Sequence, residues 1–152
     1  MEGGLSSIEE KSLGAIVKSG TRPIQGVLEY PEAIGNRKGL WIKDTPGREP
    51  EILTGMAATG APFMMFSTGR GAPQSFSTMP VLKVCGNPNT YGRMRHDTDL
   101  NAGRIITGEK SIQEVGEEAF SAALEILSGR QTRNETLGYH SSIDIYTLGP
   151  FI

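Results

Sequence analysis

The sequence predicts an α/β domain with a mostly parallel sheet of about four to five strands, flanked by helices. Short apolar segments alternate along the chain with segments of helical period. Scattered Gly and Pro residues mark tight turns between them, and no repeat or low-complexity linker interrupts the pattern. At 152 residues the chain has the length of one ordinary domain. We therefore expect residues 1–152 to form a single α/β domain around one hydrophobic core.

The first predicted element is a helix near the amino terminus. Ser6 or Ser7 can cap it, because a hydroxyl there accepts from a free backbone N–H of the first turn. Glu9 and Glu10 follow in that turn, where carboxylates oppose the positive end of the helix dipole. Apolar residues then recur at near-helical spacing until Gly20, which ends the segment.

Strands and a helix alternate through the middle of the chain. Apolar segments at 24–30 and 39–44 read as the first two strands. Pro50 then stands where a helix begins, and the small residues after it indicate close packing against a sheet. The segments 62–68 and 80–87 are the third and fourth strands. This strand–helix–strand order is typical of a parallel, Rossmann-like sheet, here a partial doubly wound domain.

The last third of the chain is mainly helical. A helix is expected over about 89–96, and residues 101–108 fit either a short strand or a loop. Ser111 caps the clearest helix of the chain, in which an apolar stripe alternates with exposed glutamates until Gly129. The tail, residues 143–152, reads as a last strand or an extended arm.

Composition narrows the classes of function. The formal net charge is −2 with interspersed signs, so we expect no nucleic-acid partner. No apolar run approaches the length that crosses a bilayer, and the amino terminus lacks the features of a signal peptide, so we expect no membrane partner. The single cysteine, Cys85, forms no internal disulfide. These features favour a cytoplasmic protein.

Polar loops follow three of the predicted strands, at residues 44–47, 67–73 and 86–90. If the strands are parallel, these loops share the edge where such sheets bind ligands. The side chains expected to face the common crevice are Asp44, Thr68, Arg70 and Asn87. The alternative is that Gly and Pro only turn the chain there and that Asp44 caps a turn.

The segment "DTPG" at 44–47 also resembles a magnesium-contacting strand end of GTP-hydrolysing proteins. That reading requires an upstream phosphate loop of the form GxxxxGK[ST], and none is present. The nearest match, residues 103–111, lies downstream and inserts Glu109 between Gly and Lys. Only the glycine-containing loops still support the alternative that the chain binds a phosphate ester or nucleotide.

Two further polar clusters are candidate sites. Asp97 and Asp99 alternate by two, so on an extended segment both carboxylates point one way, with Asn101 next on that side. Such oxygens can bind a hard divalent cation or the hydroxyls of a polyol. The alternative is a turn cluster in which Asp97 pairs with Arg93 or Arg95. Near the amino terminus, residues 7–14 can form an anion nest with Lys11, although Glu9 and Glu10 oppose an anion there.

Several motifs, in the same order as in one known family, cover nearly the whole chain. They are "GGLSSIEEKSLGAIVKSGT", "KGLWIKDTPG", "TGMAATGA", "FSTGRG", "PVLKVCGNPNTYGRM", "DLNAG" and "SIQEVGEE". On these motifs the chain resembles the carboxyl-terminal portion of the altronate and D-galactarate dehydratase family, which also contains sulfolactate sulfo-lyase. The resemblance implies a hydro-lyase that converts a sugar acid to a 2-keto-3-deoxy acid. It also implies a piece of a longer or split enzyme that requires its missing amino-terminal domains and is inactive alone.

The resemblance further implies a divalent metal, iron(II), and a carboxylate-bearing substrate. The residues expected to bind substrate are Thr68, Gly69, Arg70, Gly71 and Asn87, because a guanidinium fork matches a carboxylate. The candidates for metal or hydroxyl contact are Asp44, Asp97, Asp99 and Asn101. Lys11 or Glu10 is the candidate acid or base. The shared motifs do not specify which sugar acid is used.

A second hypothesis comes from a different class of function. The chain can be a non-catalytic assembly module or a module that binds small anions, its loops serving contacts between subunits. A sheet edge left uncovered by the missing segments can also pair with another copy, which makes a homodimer a further expectation.

Overall fold

The computed structural model describes residues 7–139 and 143–146, with Ile8 and Lys11 described by their backbone alone. The helices are Ile8–Lys18 (α1), Glu49–Ala58 (α2), Pro88–Arg93 (α3), Ile112–Leu127 (α4) and Arg133–Thr136 (α5). The strands are Ile24–Leu28 (β1), Leu40–Lys43 (β2), Met64–Thr68 (β3), Val81–Cys85 (β4) and Leu100–Asn101 (β5), and a 3₁₀ turn follows at Ala102–Arg104. Across the described ranges, no helix is long and apolar enough to cross a membrane.

The predicted α/β class with parallel strands and flanking helices is confirmed. All three strand pairs are parallel: β1 with β2, β3 with β4, and β4 with β5. The five strands, however, form a two-stranded sheet and a three-stranded sheet of order β3-β4-β5 instead of one continuous sheet.

The segment after β1, rather than the small sheet itself, packs on α2. After β1, the Tyr30 hydroxyl donates to the backbone oxygen of Glu51 in α2 at 2.7 Å. A Cβ added at Gly55 would lie 2.6 Å from the Tyr30 ring, so the absent side chain makes room for that ring. Further along, Ile34 N–H donates to the carbonyl of Thr59. These contacts attach the segment after β1 to α2.

Helix α2 also covers one face of the larger sheet. Its Leu53 is fully buried and packs in a core cluster with Phe76, Met79 and Val81. Met56 and Ala57 of the same helix lie against this cluster. The small residues of α2 therefore allow close packing on both sides, as the sequence predicts for one side. The helix runs back against the strands, so its amino end lies toward their carboxyl ends.

Residues 143–146 form an arm over α2. They belong to no helix or strand. The Asp144 N–H donates to the Thr54 hydroxyl at 3.3 Å, and the Tyr146 ring meets the Tyr30 ring edge-on with centroids 5.7 Å apart. The described part of the tail is thus an extended arm, one of its two predicted forms. The rest of the predicted tail element lies outside the described residues.

Candidate active site

The carboxyl ends of the three strands of the larger sheet lie side by side. Thr68 is in register with Cys85, and Cys85 with Asn101. The Gly86 N–H donates to the Thr68 carbonyl at 2.9 Å, which holds the first loop residues together. The loops after β3, β4 and β5 therefore share one edge, as the sequence predicts for the first two of them.

The loop after β3 closes into a tight turn. The Thr68 hydroxyl oxygen accepts from the Gly71 N–H at 3.0 Å, which leaves its own proton free to donate. Gly71 has φ +93°, and a Cβ there would collide with the Met94 thioether that follows α3. The Arg70 side chain is exposed at the tip of this turn, after Gly69. A fixed backbone turn thus carries Arg70 at its tip.

Asn87 begins the next loop and caps α3. Its Oδ1 accepts from the backbone N–H groups of Asn89 and Thr90 at 2.9 and 3.2 Å. The buried Cys85 thiol donates to the Asn87 carbonyl at 3.3 Å. At the third loop, a Cβ on Gly103 would lie 2.5 Å from the nitrogen of Pro88.

Of the predicted substrate-binding residues, all five lie in this loop cluster, which we define as residues 67–71, 86–88 and 101–103.

Asp44 lies on the other sheet. Its N–H donates to the Leu28 carbonyl at 2.9 Å, which extends the β1–β2 ladder by one residue. Its carboxylate is exposed, and no other described residue forms a hydrogen bond or ion pair with it. The segment after Asp44 nevertheless leads to Glu49, whose carboxylate pairs with Lys83 of β4. The structure therefore joins the 44–48 loop to β4 through Glu49, and gives no contact between Asp44 and Arg70 or Asn87.

The predicted Asp97, Asp99 and Asn101 set does not share one side of an extended segment. Asp97 lies in a turn, where its N–H donates to the Met94 carbonyl. Both Asp99 oxygens accept from backbone groups at 2.8 Å, one from Lys83 N–H and one from Arg133 N–H. The Asn101 Oδ1 accepts from the Gly103 N–H at 3.0 Å. Asp99 and Asn101 thus have structural roles, and no ion pair of Asp97 with an arginine is found among the described residues.

These residues do not by themselves form a metal site. Within residues 7–139 and 143–146, no group of three or more His, Cys, Asp or Glu side chains is arranged to hold a metal ion. Asp97 keeps a carboxylate to which no other described residue is hydrogen-bonded or ion-paired, as Asp44 does.

The candidate acid–base residues of α1 stay predictions. Glu10 is exposed in the first turn, and its backbone N–H donates to the Ser7 hydroxyl at 3.1 Å, which confirms the predicted cap. The Lys11 side chain lies outside the described part of the chain.

Sequence reasoning missed a buried ion pair near the loop cluster. Lys83, in the middle of β4, is 0% exposed, and its ammonium pairs with the Glu49 carboxylate at the start of α2. The ammonium lies 4.6 Å from the centre of the Phe66 ring. The available signal was the lysine within the apolar strand "PVLKVC", since a charge in a buried strand requires a partner.

Two clefts lie away from the loop cluster. One, of about 500 Å³, runs along α4 and is lined by five acidic side chains and two basic ones. The other, of about 560 Å³, lies between the small sheet and α2 and is mainly apolar. An acidic lining repels a carboxylate, so the cleft along α4 does not favour an acidic ligand.

The fold and the loop cluster define the class: a partial Rossmann-like α/β domain with its polar loops at the carboxyl ends of parallel strands, where such folds bind ligands. Residues 1–150 match the family described as D-galactarate/altronate dehydratase, C-terminal. The chain belongs to this family, as its motifs predict.

Curated relatives agree with this assignment. The chain is 35% identical over 144 residues to the (2R)-sulfolactate sulfo-lyase subunit beta of Chromohalobacter salexigens. It is 35% identical over 150 residues to galactarate dehydratase (L-threo-forming) of Escherichia coli K12, and 35% over 134 residues to altronate dehydratase of Bacillus subtilis 168. The matches cover 94%, 98% and 88% of this chain but 37%, 28% and 26% of the respective relatives. The chain therefore spans about a quarter to a third of their length.

Proposed function

We propose that this chain is the carboxyl-terminal domain of a cytoplasmic lyase that dehydrates a sugar acid of the altronate or galactarate type to a 2-keto-3-deoxy acid. Family membership supports the reaction class, since the relatives named above are dehydratases and a sulfo-lyase. The geometry adds one observation that carries the proposal: Arg70 stands on a glycine turn at the carboxyl edge of a parallel sheet, and Asn87 begins the loop after the neighbouring strand.

In this proposal the loop cluster binds a carboxylate of the substrate. A guanidinium presents paired N–H groups that match two carboxylate oxygens. The Thr68 hydroxyl proton and the Nδ2 group of Asn87 are further donors, because the cap of α3 uses only the Asn87 oxygen. Holding the carboxylate fixes the adjacent Cα–H bond, which must break during dehydration.

Iron(II) remains part of the proposal. The described residues supply no complete set of ligands, so we propose that the remaining part of the enzyme contributes to the metal site. Asp44 and Asp97 are the carboxylates that this chain can offer. We derive no catalytic step from the metal.

The test is an assay of the intact enzyme with galactarate, altronate and related sugar acids, supplied with ferrous iron under reducing conditions. The expected product is the 2-keto-3-deoxy acid, detected by mass spectrometry as the loss of one water. Binding of these acids without turnover would instead support an anion-binding module. No binding and no turnover would contradict the proposed function.

A further inference from the structure

The Lys83–Glu49 pair is buried among apolar side chains. Lys83 is fully buried, whereas the Glu49 side chain is 14% exposed. The Phe66 ring covers the ammonium from β3. Burial lowers the pKa of the Lys83 ammonium, and the bond to Glu49 opposes that change. A buried lysine is rarely kept without a partner, because an uncompensated buried charge is strongly destabilising.

The pair lies directly beneath the loop cluster. Phe66 and Lys83 are in register on β3 and β4, and Thr68 and Cys85 are the next residues on the same face. Two residues of a strand span about 7 Å, so the pair is one layer below the turn that carries Arg70. Glu49 begins α2 and pairs with Lys83, whereas Ala57 near the end of α2 packs against the cluster that contains Val81 at the start of β4, so the amino end of α2 lies toward this edge. Glu49 is the member of the pair that reaches the surface there.

A sugar-acid dehydratase requires a base near the bound carboxylate. The Cα proton must leave while the carboxylate is held, and a fixed carboxylate or amine is suited to take it. The candidate base predicted in α1, Glu10, is exposed to solvent. Glu49, by contrast, is held by a buried cation close to the candidate carboxylate site.

We infer that Glu49 is the base of the proposed dehydration and that Lys83 is the residue that positions it. The inference rests on the proposed function. One Glu49 oxygen accepts the proton from Cα, and the electron pair of the C–H bond forms the C=C bond of the enol. The β-carbon to oxygen bond breaks, and the departing hydroxide takes a proton from solvent to leave as water. Glu49 then returns its proton to solvent.

Substitution of the pair separates a catalytic role from a structural one. Replacing both partners of a buried ion pair by apolar residues is often neutral for stability, whereas removing one partner is costly. We therefore compare three variants. They are Glu49→Gln, Glu49→Ala and a double variant that carries both Glu49→Met and Lys83→Met. The matched control is Glu51→Gln: Glu51 is buried in the first turn of the same helix and pairs with Arg48 at 3.4 Å.

The assays are dehydration by the intact enzyme, binding of galactarate, and thermal unfolding. We expect Glu49→Gln and the folded double variant to lose about 100-fold or more in kcat, with the Kd for galactarate within about threefold of wild type. Added formate should restore part of the rate of Glu49→Ala, because it supplies a carboxylate to the vacated space. Glu51→Gln should keep its kcat.

The outcomes distinguish the two ideas. Suppose that the wild type is active and that the folded double variant, or Glu49→Gln, keeps the wild-type kcat. That result overturns the role of Glu49 and leaves the proposed function standing. Loss of kcat in Glu49→Ala without formate rescue, with a parallel loss of galactarate binding, also overturns it, since a misplaced helix explains that result. A wild type that binds no sugar acid and produces no keto acid overturns the proposed function and this inference together.

Discussion

The Asp99 carboxylate joins the larger sheet to the last helix, since its Oδ1 accepts from the backbone N–H of Arg133 at 2.8 Å. Its Oδ2 accepts from the backbone N–H of Lys83, also at 2.8 Å. One side chain thus connects β4, the segment before β5 and α5, which are far apart in sequence. The position beneath the loop cluster makes Asp99 a fixed support for the candidate site.

Replacing Asp99 by Asn should therefore destabilise the domain by about 2 kcal/mol. One of the two charge-assisted hydrogen bonds is lost, because the new side-chain NH2 group faces a backbone N–H, and two donors cannot bond to each other. Chemical denaturation measures this change. The control is Asp97→Asn, two residues away in a turn, which should stay within about 0.5 kcal/mol of wild type. Equal losses for both variants would contradict the assigned role of Asp99.

Gly71 should tolerate no side chain. Its φ of +93° is unfavourable for other residues, and a Cβ would meet Met94. We expect Gly71→Ala to cost about 2 kcal/mol of stability and to displace the Arg70 turn. Gly92→Ala is the control, since Gly92 lies in α3 with nothing within 4 Å of a new Cβ. An alanine at position 71 that unfolds at the wild-type temperature would refute this view of the turn.

Arg70→Lys should lower kcat/KM of the intact enzyme by about tenfold or more, because an ammonium cannot form the paired hydrogen bonds of a guanidinium. Arg22→Lys is a suitable control: Arg22 is exposed just before β1, at the amino ends of its sheet. Steady-state kinetics measure both. If Arg70→Lys matches wild type, Arg70 does not bind the substrate.

Glu118 should make stability depend on pH. Its carboxylate pairs with Lys110 and Arg104, and these bonds hold the pKa of Glu118 below its usual value. A carboxyl whose folded pKa is lowered contributes stability above its unfolded pKa, and this contribution disappears as the pH falls through the folded pKa. Glu118→Gln should thus be less stable at neutral pH and show a shallower acid decline.

Urea unfolding between about pH 7 and about pH 3 tests this dependence. Glu109→Gln, in the exposed turn before α4, serves as the comparison. An acid decline of equal slope in wild type and Glu118→Gln would show that the pairs with Lys110 and Arg104 do not contribute.

Helix α4 exposes an apolar stripe. Phe120, Leu124 and Leu127 are 66%, 50% and 54% exposed. Because the chain spans 37% or less of the relatives' length, we propose that the rest of the enzyme covers this stripe. Phe120→Asp should weaken that contact, whereas Gln113→Asp should not. Light scattering on the chain alone tests the expected homodimer separately, since a second copy can also cover an exposed face.

Local sequence patterns were sufficient to predict most helices and strands and the position of the loop cluster. The caps of α1 and α4 and the short apolar strands are set by neighbouring residues, which sequence displays directly. The short helix α5 was missed, although Thr132 and Glu135 form a capping box that signals it. A helix of four residues is too short to show helical periodicity in the sequence.

Long-range pairings were not predictable. Lys83 and Glu49 lie 34 residues apart, and their contact depends on how α2 packs across β4. The same holds for Asp99, whose alternation with Asp97 suggested a shared ligand face, while the fold turns the chain between them. The packing of Tyr30 on Gly55 is likewise a long-range contact that no periodicity reveals.

The central claim is that the loop cluster binds the carboxylate of a sugar acid. Hydrogen–deuterium exchange of the intact enzyme, with and without saturating galactarate, tests this claim most directly. We predict slower exchange in peptides that contain residues 67–71 and 86–88. Protection confined to other segments, such as the acidic cleft along α4, or unchanged exchange in an enzyme that turns galactarate over, would contradict it.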